Sequence, residues 1–491
     1  MADETPRETT AAEVDDLLAR AAAASRPWAD RGAGARIVSL RAVADVLDGA
    51  ADTLVPLAME EAHLGSARLV GELGRTTFQL RLFAELLEEG SYLRATIDHP
   101  DPDWPPAPRP DLRRMLIPLG PVVVFAASNF PFAFSVAGGD TAAALAAGCP
   151  VVLKAHPGHL RLSALTGSLV DRALASTGAP EGTFAVIYGD AAGRSAVTSE
   201  HVKAGAFTGS LKGGRALFDL AASRPTPIPF YAEMGSLNPV FVTGEALAQR
   251  GGQILADFAT SFTLSAGQFC TKPGLLFVPS DAVTDAELTE AMAPHRSGSP
   301  LLNERIHRGY VETLGALRGH GAVRTVVGDD DAYAAAPTPT VMATTVPELL
   351  AAHHDLLVEC FGPTALVVEY ADEGELLEAA EAFGGEITAV VHGEETDTIV
   401  PRLVALLSER AGRVVWNGWP TGVSVTEAMH HGGPYPATTA PLHTSVGTAS
   451  IDRFLRPVCY QSMPGHLLPP ALRDDNPLGV PRRVNGQPEE A

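Results

Sequence analysis

The stretch GPVVVFAAS (Gly120–Ser128) is followed by the Ala-rich SVAGGDTAAALAAG (Ser135–Gly148) and then by CPVVLKAHP (Cys149–Pro157). The first and third segments are continuous apolar runs without polar alternation, as expected for strands buried on both faces, and the segment between them reads as a helix. The pattern continues through HLRLSALTGSLVDRALAST (helix), FAVIYGD (strand), VKAGAFTGS (strand), LKGGRALFDLAAS (helix) and IPFYAEMG (strand). Strands alternating with helices predict a parallel sheet covered on both faces.

Before this block, the first ninety residues carry apolar side chains at i, i+3, i+4 spacing and read as helices. DHPDPDWPPAPRPD (Asp98–Asp111) is Pro-rich and aperiodic, so it reads as a loop or extended crossing. A second alternating block follows Cys270, with GLLFVPS, TALVVEY, ITAVVHG and GRVVWNG as strands. Two α/β units result, one near 112–235 and one from 236 to about 435. IDRFLRPVCYQSMPGHLLPP loses helical periodicity and reads as an edge strand or interface arm, and residues 474–491 read as disordered.

The chain has 491 residues, too many for one hydrophobic core, and its 46% apolar and 19% charged content is that of a globular protein. A net charge of −22 argues against a nucleic-acid or anionic-membrane surface, which needs clustered Lys and Arg. The longest uncharged run, Met115–Gly139, is broken by Pro118, Pro121 and Pro131, so no membrane span is expected. Four cysteines, with no CxxC pair and no zinc spacing, give neither a disulfide framework nor a metal site. The acidic N-terminus is not a signal or transit peptide, and a cytoplasmic location is expected.

Candidate chemistry lies at strand ends. Asn129, in SNFPFAF (Ser128–Phe134), offers an amide that could hold an oxyanion, although an asparagine before a proline is also an ordinary turn residue. Lys154 closes PVVLK at the carboxyl end of a strand, where open parallel sheets bind ligands. FTGSLKGG (Phe207–Gly214) runs from a strand into a helix. Ser210 can cap that helix, and Gly209, Gly213 and Gly214 would let a phosphate approach its N–H groups. Glu233, in YAEMGSLNP, is a carboxylate in an apolar setting, suited to a base near neutral pH. Glu359 precedes an aromatic and a Gly-Pro turn in ECFGP. Cys270 stands in LSAGQFCTKPG, where a helix gives way to a turn; a lone cysteine is more often core filler than nucleophile.

The succession IPLGPVVVFAASNFP, VVLKAHP, AFTGS, AEMGSLNP, GQFC, ECFGP, spread over about half of the chain, resembles the aldehyde dehydrogenase superfamily. The resemblance implies that Cys270 is the catalytic thiolate, that Asn129 and the Cys270 N–H hold the oxyanion, and that Glu233 activates the hydrolytic water. It places Lys154, His156, Gly209, Ser210 and Gly214 on the cofactor, with Glu359 on the nicotinamide ribose and Phe361 beside it. It implies an α/β fold of two parallel-sheet domains plus a small β-flap. The cofactor-binding domain would comprise 1–97 and 119–235, the catalytic domain 236–435, and the oligomerisation flap 98–118 and 445–465. A homodimer or homotetramer follows from the same likeness.

Two departures narrow the resemblance. KAHPGH puts Pro157 where most members carry the glutamate that meets the ribose 2′-hydroxyl. Its loss removes repulsion against a 2′-phosphate, and His156 or Arg194 could attract one, so NADP is preferred over NAD, although Asp190 counts the other way. HGGPYPATTAPLHTSVGTASIDRFLRPVCYQ replaces the usual C-terminal signature. These features resemble the branch of 2-oxoglutarate semialdehyde (2,5-dioxovalerate) dehydrogenases and NADP-dependent fatty aldehyde dehydrogenases, and oxidation of the semialdehyde to 2-oxoglutarate is the expected activity, with a fatty or other broad-range aldehyde as the alternative. The first activity needs a cation for the distal carboxylate, with Arg81 or Arg453 as candidates. The second needs an apolar tunnel, with Phe78, Phe130, Phe134 and Phe269 as candidates. A CoA-acylating enzyme and a catalytically silent member are weaker alternatives, because Glu233, Asn129 and Cys270 are all present. Cys149, Cys360 and Cys459 are expected to be inert filler.

Overall fold

The computed structural model describes residues 5–489. Residues 1–4 and 490–491, the first residues of the expected cofactor domain and the last of the expected disordered tail, lie outside that range. Four helices open the chain: α1 (Ala11–Asp30), α2 (Gly32–Gly49), α3 (Ala51–Ala62) and α4 (Ser66–Glu89). Two strands follow, β1 (Ala95–Asp98) and β2 (Leu112–Pro118), with the Pro-rich segment as the loop between them.

The next unit is a five-stranded, wholly parallel sheet of order β5-β4-β3-β6-β7. Its strands are β3 (Val122–Phe125), β4 (Val151–Lys154), β5 (Phe184–Ile187), β6 (Ala204–Thr208) and β7 (Phe230–Glu233), with α5 (Gly139–Ala147), α6 (Leu160–Ser176), α7 (Asp190–Thr198) and α8 (Leu211–Ala222) as crossovers. All four residues of β3 and of β4 are buried, which is why those segments carry no polar alternation. From β3 the chain builds outward to β5 and then returns to add β6 on the other side of β3. Ligands bind at such a reversal, beyond the strands' carboxyl ends. The register sets Phe125 beside Lys154 and Phe207, and Thr208 beside Glu233, so Lys154 and Glu233 both emerge at that edge.

The second sheet has seven strands, ordered β10-β11-β12-β9-β8-β13-β14. These are β8 (Val240–Val242), β9 (Leu275–Pro279), β10 (Arg324–Val327), β11 (Thr340–Thr345), β12 (Thr364–Tyr370), β13 (Glu386–His392) and β14 (Ala411–Trp416). Only β10 runs antiparallel to its neighbour. Helix α9 (Gly244–Thr263) leads into the segment that carries Cys270.

A third sheet joins β1 and β2 to β15 (Leu455–Gln461), β16 (Arg482–Val484) and β17 (Gln487–Pro488), in the order β15-β2-β1-β16-β17. The aperiodic segment after Ile451 therefore supplies an edge strand. The expectation of disorder from residue 474 is corrected. β16 pairs in parallel with β1, β17 folds back on β16, and Arg482 pairs with Glu489. Polar composition misled there because cross-strand pairing satisfies the backbone. Among the described residues no helix is long and apolar enough to cross a membrane.

Candidate active site

After α9 the chain turns tightly. Ser265, Ala266 and Gly267 adopt consecutive positive φ angles of 52°, 54° and 68°. Gly267 is required here, because a Cβ would stand 2.1 Å from the carbonyl oxygen of Gly362. The turn thus packs on the ECFGP loop and leaves Cys270 partly exposed. Two buried side chains fix the backbone around it. Lys272 Nζ donates to the carbonyls of Cys360 (2.6 Å), Thr364 (2.9 Å) and Gly362 (3.3 Å). Asn238 Nδ2 donates to the carbonyls of Cys270 (2.8 Å) and Lys272 (3.0 Å). The Asn238 turn is itself held by the buried Glu386 carboxylate, which accepts from Ser236 Oγ (2.5 Å), Leu237 N (2.7 Å) and Asn238 N (3.2 Å).

Glu233 ends β7 and is buried. The irregular segment after β14 runs beside it, since Met234 N donates to Ala437 O and Thr439 N to Ala232 O. That segment delivers a buried histidine and serine to the carboxylate. His431 Nε2 lies 3.0 Å from Glu233 Oε1 and 3.5 Å from Cys270 Sγ, and Ser445 Oγ donates to Glu233 Oε2. A thiol, an imidazole and a carboxylate therefore share one node, with ligand atoms within 4.8 Å of one another, close enough to share a metal ion. Their sequence spacing gives no metal signal because they come from three distant segments. Burial and then the Glu233 charge hold the Cys270 thiol well above its ordinary value. Burial pushes the Glu233 carboxyl up, but His431, Ser445 and Cys270 outweigh it and leave Glu233 below the usual carboxylate range.

Asn129 follows β3 and its Nδ2 donates to Gln268 O (3.2 Å), which ties its loop to the thiol loop and leaves the second amide hydrogen available. Phe130, Phe134 and Phe269 form one wall: the Phe130 ring meets Phe134 and Phe269 edge-on at 5.3 Å, and Phe134 lies 6.3 Å from the His431 ring. Over this wall lie two half-buried guanidiniums from α4. Arg68 sits 5.0 Å and 4.8 Å above Phe130 and Phe269, and Arg75 sits 5.3 Å above Phe134. Glu72 stands between them on the helix, its Oε1 accepting from Phe132 N and Ala133 N.

The cofactor candidates gather at the carboxyl edge of the first sheet. Lys154 Nζ donates to Asp190 Oδ1 (2.8 Å) at the start of α7, and that contact lowers the Asp190 carboxyl. Arg305 approaches the same aspartate at 3.9 Å, and Arg194 also acts on it. His156 Nδ1 accepts from Gly158 N, and burial, then His159 and Lys154, push His156 well below its ordinary value, so it stays neutral. Ser210 caps α8 by accepting from Gly213 N (3.2 Å). Gly209 N donates to Glu233 O, which joins this turn to the end of β7, and Gly214 packs on Met234. Glu359 lies against Gly235, where a Cβ would stand 2.3 Å from its Oε2, and burial, offset by Lys272, pushes its carboxyl up to about 7. Phe361 is half-buried against the N-terminal core.

Four expectations are corrected. Arg81 is tied to α2: its guanidinium donates to Asp45 and Asp48, so it has no free charge for a substrate. Arg453 is committed to Asp140 at 2.7 Å. Phe78 is 51% exposed on the outer face of α4 and is not part of the wall. Cys459 is exposed on β15 and fills no core, whereas burial raises the Cys149 and Cys360 thiols to about 11. The sequence reading missed His431, Ser445, Asn238, Lys272, Arg68 and Arg75. One signal was present for the arginines: Arg68, Glu72 and Arg75 fall at i, i+4 and i+7, a charged stripe on one helix face.

The sequence model of the aldehyde dehydrogenase family matches residues 4–435. The alpha-ketoglutaric semialdehyde dehydrogenase of Acinetobacter baylyi is 42% identical over 490 residues, covering 98% of this chain and 92% of that protein. Alpha-ketoglutaric semialdehyde dehydrogenase 2 of Azospirillum brasilense is 44% identical over 461 residues, 93% of this chain and 88% of that protein. The crystal structure of betaine aldehyde dehydrogenase from Staphylococcus aureus, in complex with NAD+, has a similar fold, with a TM-score of 0.76 and 19% identity over 93% of this chain and 90% of that one. The chain belongs to the aldehyde dehydrogenase family.

Proposed function

We propose that the chain oxidises 2-oxoglutarate semialdehyde to 2-oxoglutarate, with NADP as the preferred hydride acceptor and NAD as the alternative. The observation that carries the oxidation is the node of Cys270, His431 and Glu233; the substrate is supported by the names of the two relatives. Cys270 Sγ attacks the aldehyde carbon, and its proton passes across 3.5 Å to His431 Nε2. The imidazolium so formed faces the Glu233 carboxylate at 3.0 Å, so proton transfer creates a paired charge rather than an isolated one. The free hydrogen of the Asn129 amide, with the Cys270 N–H, holds the thiohemiacetal oxyanion. A bound nicotinamide supplies the hydride acceptor. The imidazolium releases the thiol's proton to solvent as the hydride leaves. The thioester on Cys270 is then hydrolysed by water that gives its proton to the regenerated His431–Glu233 pair, from which the departing thiolate recovers it, while Ser445 fixes the second carboxylate oxygen.

The residues at the edge of the first sheet fit a dinucleotide. The first turn of α8 has no acidic side chain, and its N–H groups suit a pyrophosphate. Lys154, Arg194 and Arg305 set three cations around one carboxylate, Asp190, which favours a 2′-phosphate. The exposed strand β15 at the edge of the third sheet is where we place the contact between copies of the chain. The phenylalanine wall favours a second reading, an apolar long-chain aldehyde, but the guanidiniums lying on those rings count against it. Replacing the thiols one at a time tests the assignment. Cys270→Ala should abolish NAD(P)H formation and Cys360→Ala should retain it; the reverse would remove Cys270 as the nucleophile.

A further inference from the structure

We infer that Arg68 and Arg75 form the receptor for the distal 2-oxo acid end of the substrate, an inference that rests on the semialdehyde reading above. The observations are geometric. Both guanidiniums are half-buried, yet among the described residues neither has a carboxylate within ion-pair distance. Arg68 Nη1 and Arg75 Nε are shielded from solvent and have no hydrogen-bond partner. Two buried arginines elsewhere in the chain hold carboxylates, Arg113 holding Asp111 at 2.9 Å and Arg453 holding Asp140 at 2.7 Å, whereas Arg36 and Arg224 donate only to backbone carbonyls and a tyrosine hydroxyl. Burying an unmatched cation is expensive, and an anionic ligand that supplies the missing acceptors offsets that cost.

Glu72 acts on both guanidiniums through space but bonds to neither. Its Oε1 is committed to two backbone N–H groups of the Asn129 loop, so it anchors α4 to that loop and leaves the guanidiniums facing the phenylalanine wall. Arg68 also donates to the carbonyl of Asn129. The wall connects the arginines to the chemistry: Arg75 lies over Phe134, Phe134 is beside His431, and His431 is 3.5 Å from the thiol. A short aldehyde with its carbonyl carbon at Cys270 would run along these rings and end at the two forks. Guanidiniums present paired N–H donors that match a carboxylate, and two of them can take the carboxylate and the adjacent keto oxygen together. A long-chain aldehyde would instead leave both cations buried without a partner.

The test is a ratio. For the wild-type chain, Arg75→Met, Arg68→Met and Arg75→Lys, kcat/KM is measured with 2-oxoglutarate semialdehyde and with pentanal, which has the same carbon count and no charge. The wild type should prefer the semialdehyde, and each Met variant should lower the semialdehyde-to-pentanal ratio by about 100-fold, with Arg75→Lys recovering part of it. Taking the ratio cancels any effect of Arg75 on the thiol. A wild type with no preference would overturn the substrate reading itself. A wild-type preference that survives in both Met variants would overturn the arginine receptor alone. Arg68 and Arg75 are on different turns of α4, so failure of one variant to fold leaves the other as the test.

Discussion

At the scale of single residues, the thiol is raised and a buried imidazole–carboxylate pair lies beside it. A thiol held well above its ordinary value carries little thiolate at neutral pH, so its reactivity depends on a neighbour that takes the proton. His431→Gln should therefore slow the first-turnover burst of NAD(P)H by about 100-fold near neutral pH. The variant's burst should climb steeply as pH rises, because the thiolate fraction then grows by titration alone. Stopped-flow measurement from pH 6.5 to 9.5 checks this; an unchanged burst would take the imidazole out of thiol activation. Glu233→Gln should slow the burst, because the imidazolium then loses its paired carboxylate, and should slow steady-state turnover as well; an unchanged burst would take the carboxylate out of thiol activation. Cys270, Glu233 and Asn129 were named from the sequence by the order of their motifs, since each motif alone reads equally as a turn, surface or core residue. His431 was not, because an aperiodic loop 161 residues from the thiol brings it in.

At the scale of elements, the site is held by turns braced from behind. The AEMGSLNP turn fixes the Cys270 backbone through Asn238, and Glu386, at the start of β13, fixes that turn. Burial raises the Glu386 carboxyl to about 7, above its unfolded value near 4.5. Between those values the folded chain binds the proton more tightly, so stability falls as pH rises from about 4.5 to 7. Glu386→Gln lacks this loss. Its unfolding midpoint relative to wild type should improve across that window, by a ceiling of about 3 kcal/mol at 1.36 kcal/mol per pH unit. Parallel urea titrations at pH 5 and pH 8 measure it, and a pH-independent difference would contradict the raised carboxyl. Strands such as Val122–Phe125 and Val151–Lys154 were readable as apolar runs. Val240–Val242 was too short to stand out, Thr340–Thr345 too rich in threonine, and the segment after residue 474 owes its order to pairing with β1. The charged stripe of α4 was visible in the sequence, but its inward orientation depends on packing against the Asn129 loop.

At the scale of the whole molecule, a parallel sheet and a mostly parallel sheet contribute loops that meet at Asn129, Gln268 and Cys270, and a net charge of −22 surrounds a few placed cations. The fold was legible because alternation of strand and helix is a property of long segments. The semialdehyde was also named from the sequence, but a residue for its distal carboxylate was not, because the cations suggested there, Arg81 and Arg453, have carboxylate partners that only the folded chain reveals. One cluster, Lys154, Arg194 and Arg305, lies at the cofactor edge, and the other, Arg68 and Arg75, lies above the thiol. An acidic protein with two such clusters should select a phosphorylated cofactor and a carboxylate-bearing aldehyde. The direct measurement is initial NAD(P)H formation at 340 nm with 2-oxoglutarate semialdehyde and with decanal, each with NADP and with NAD. The account predicts at least a tenfold kcat/KM advantage, about 1.4 kcal/mol of transition-state preference, for the semialdehyde over decanal, with NADP favoured over NAD. An advantage for decanal would contradict it.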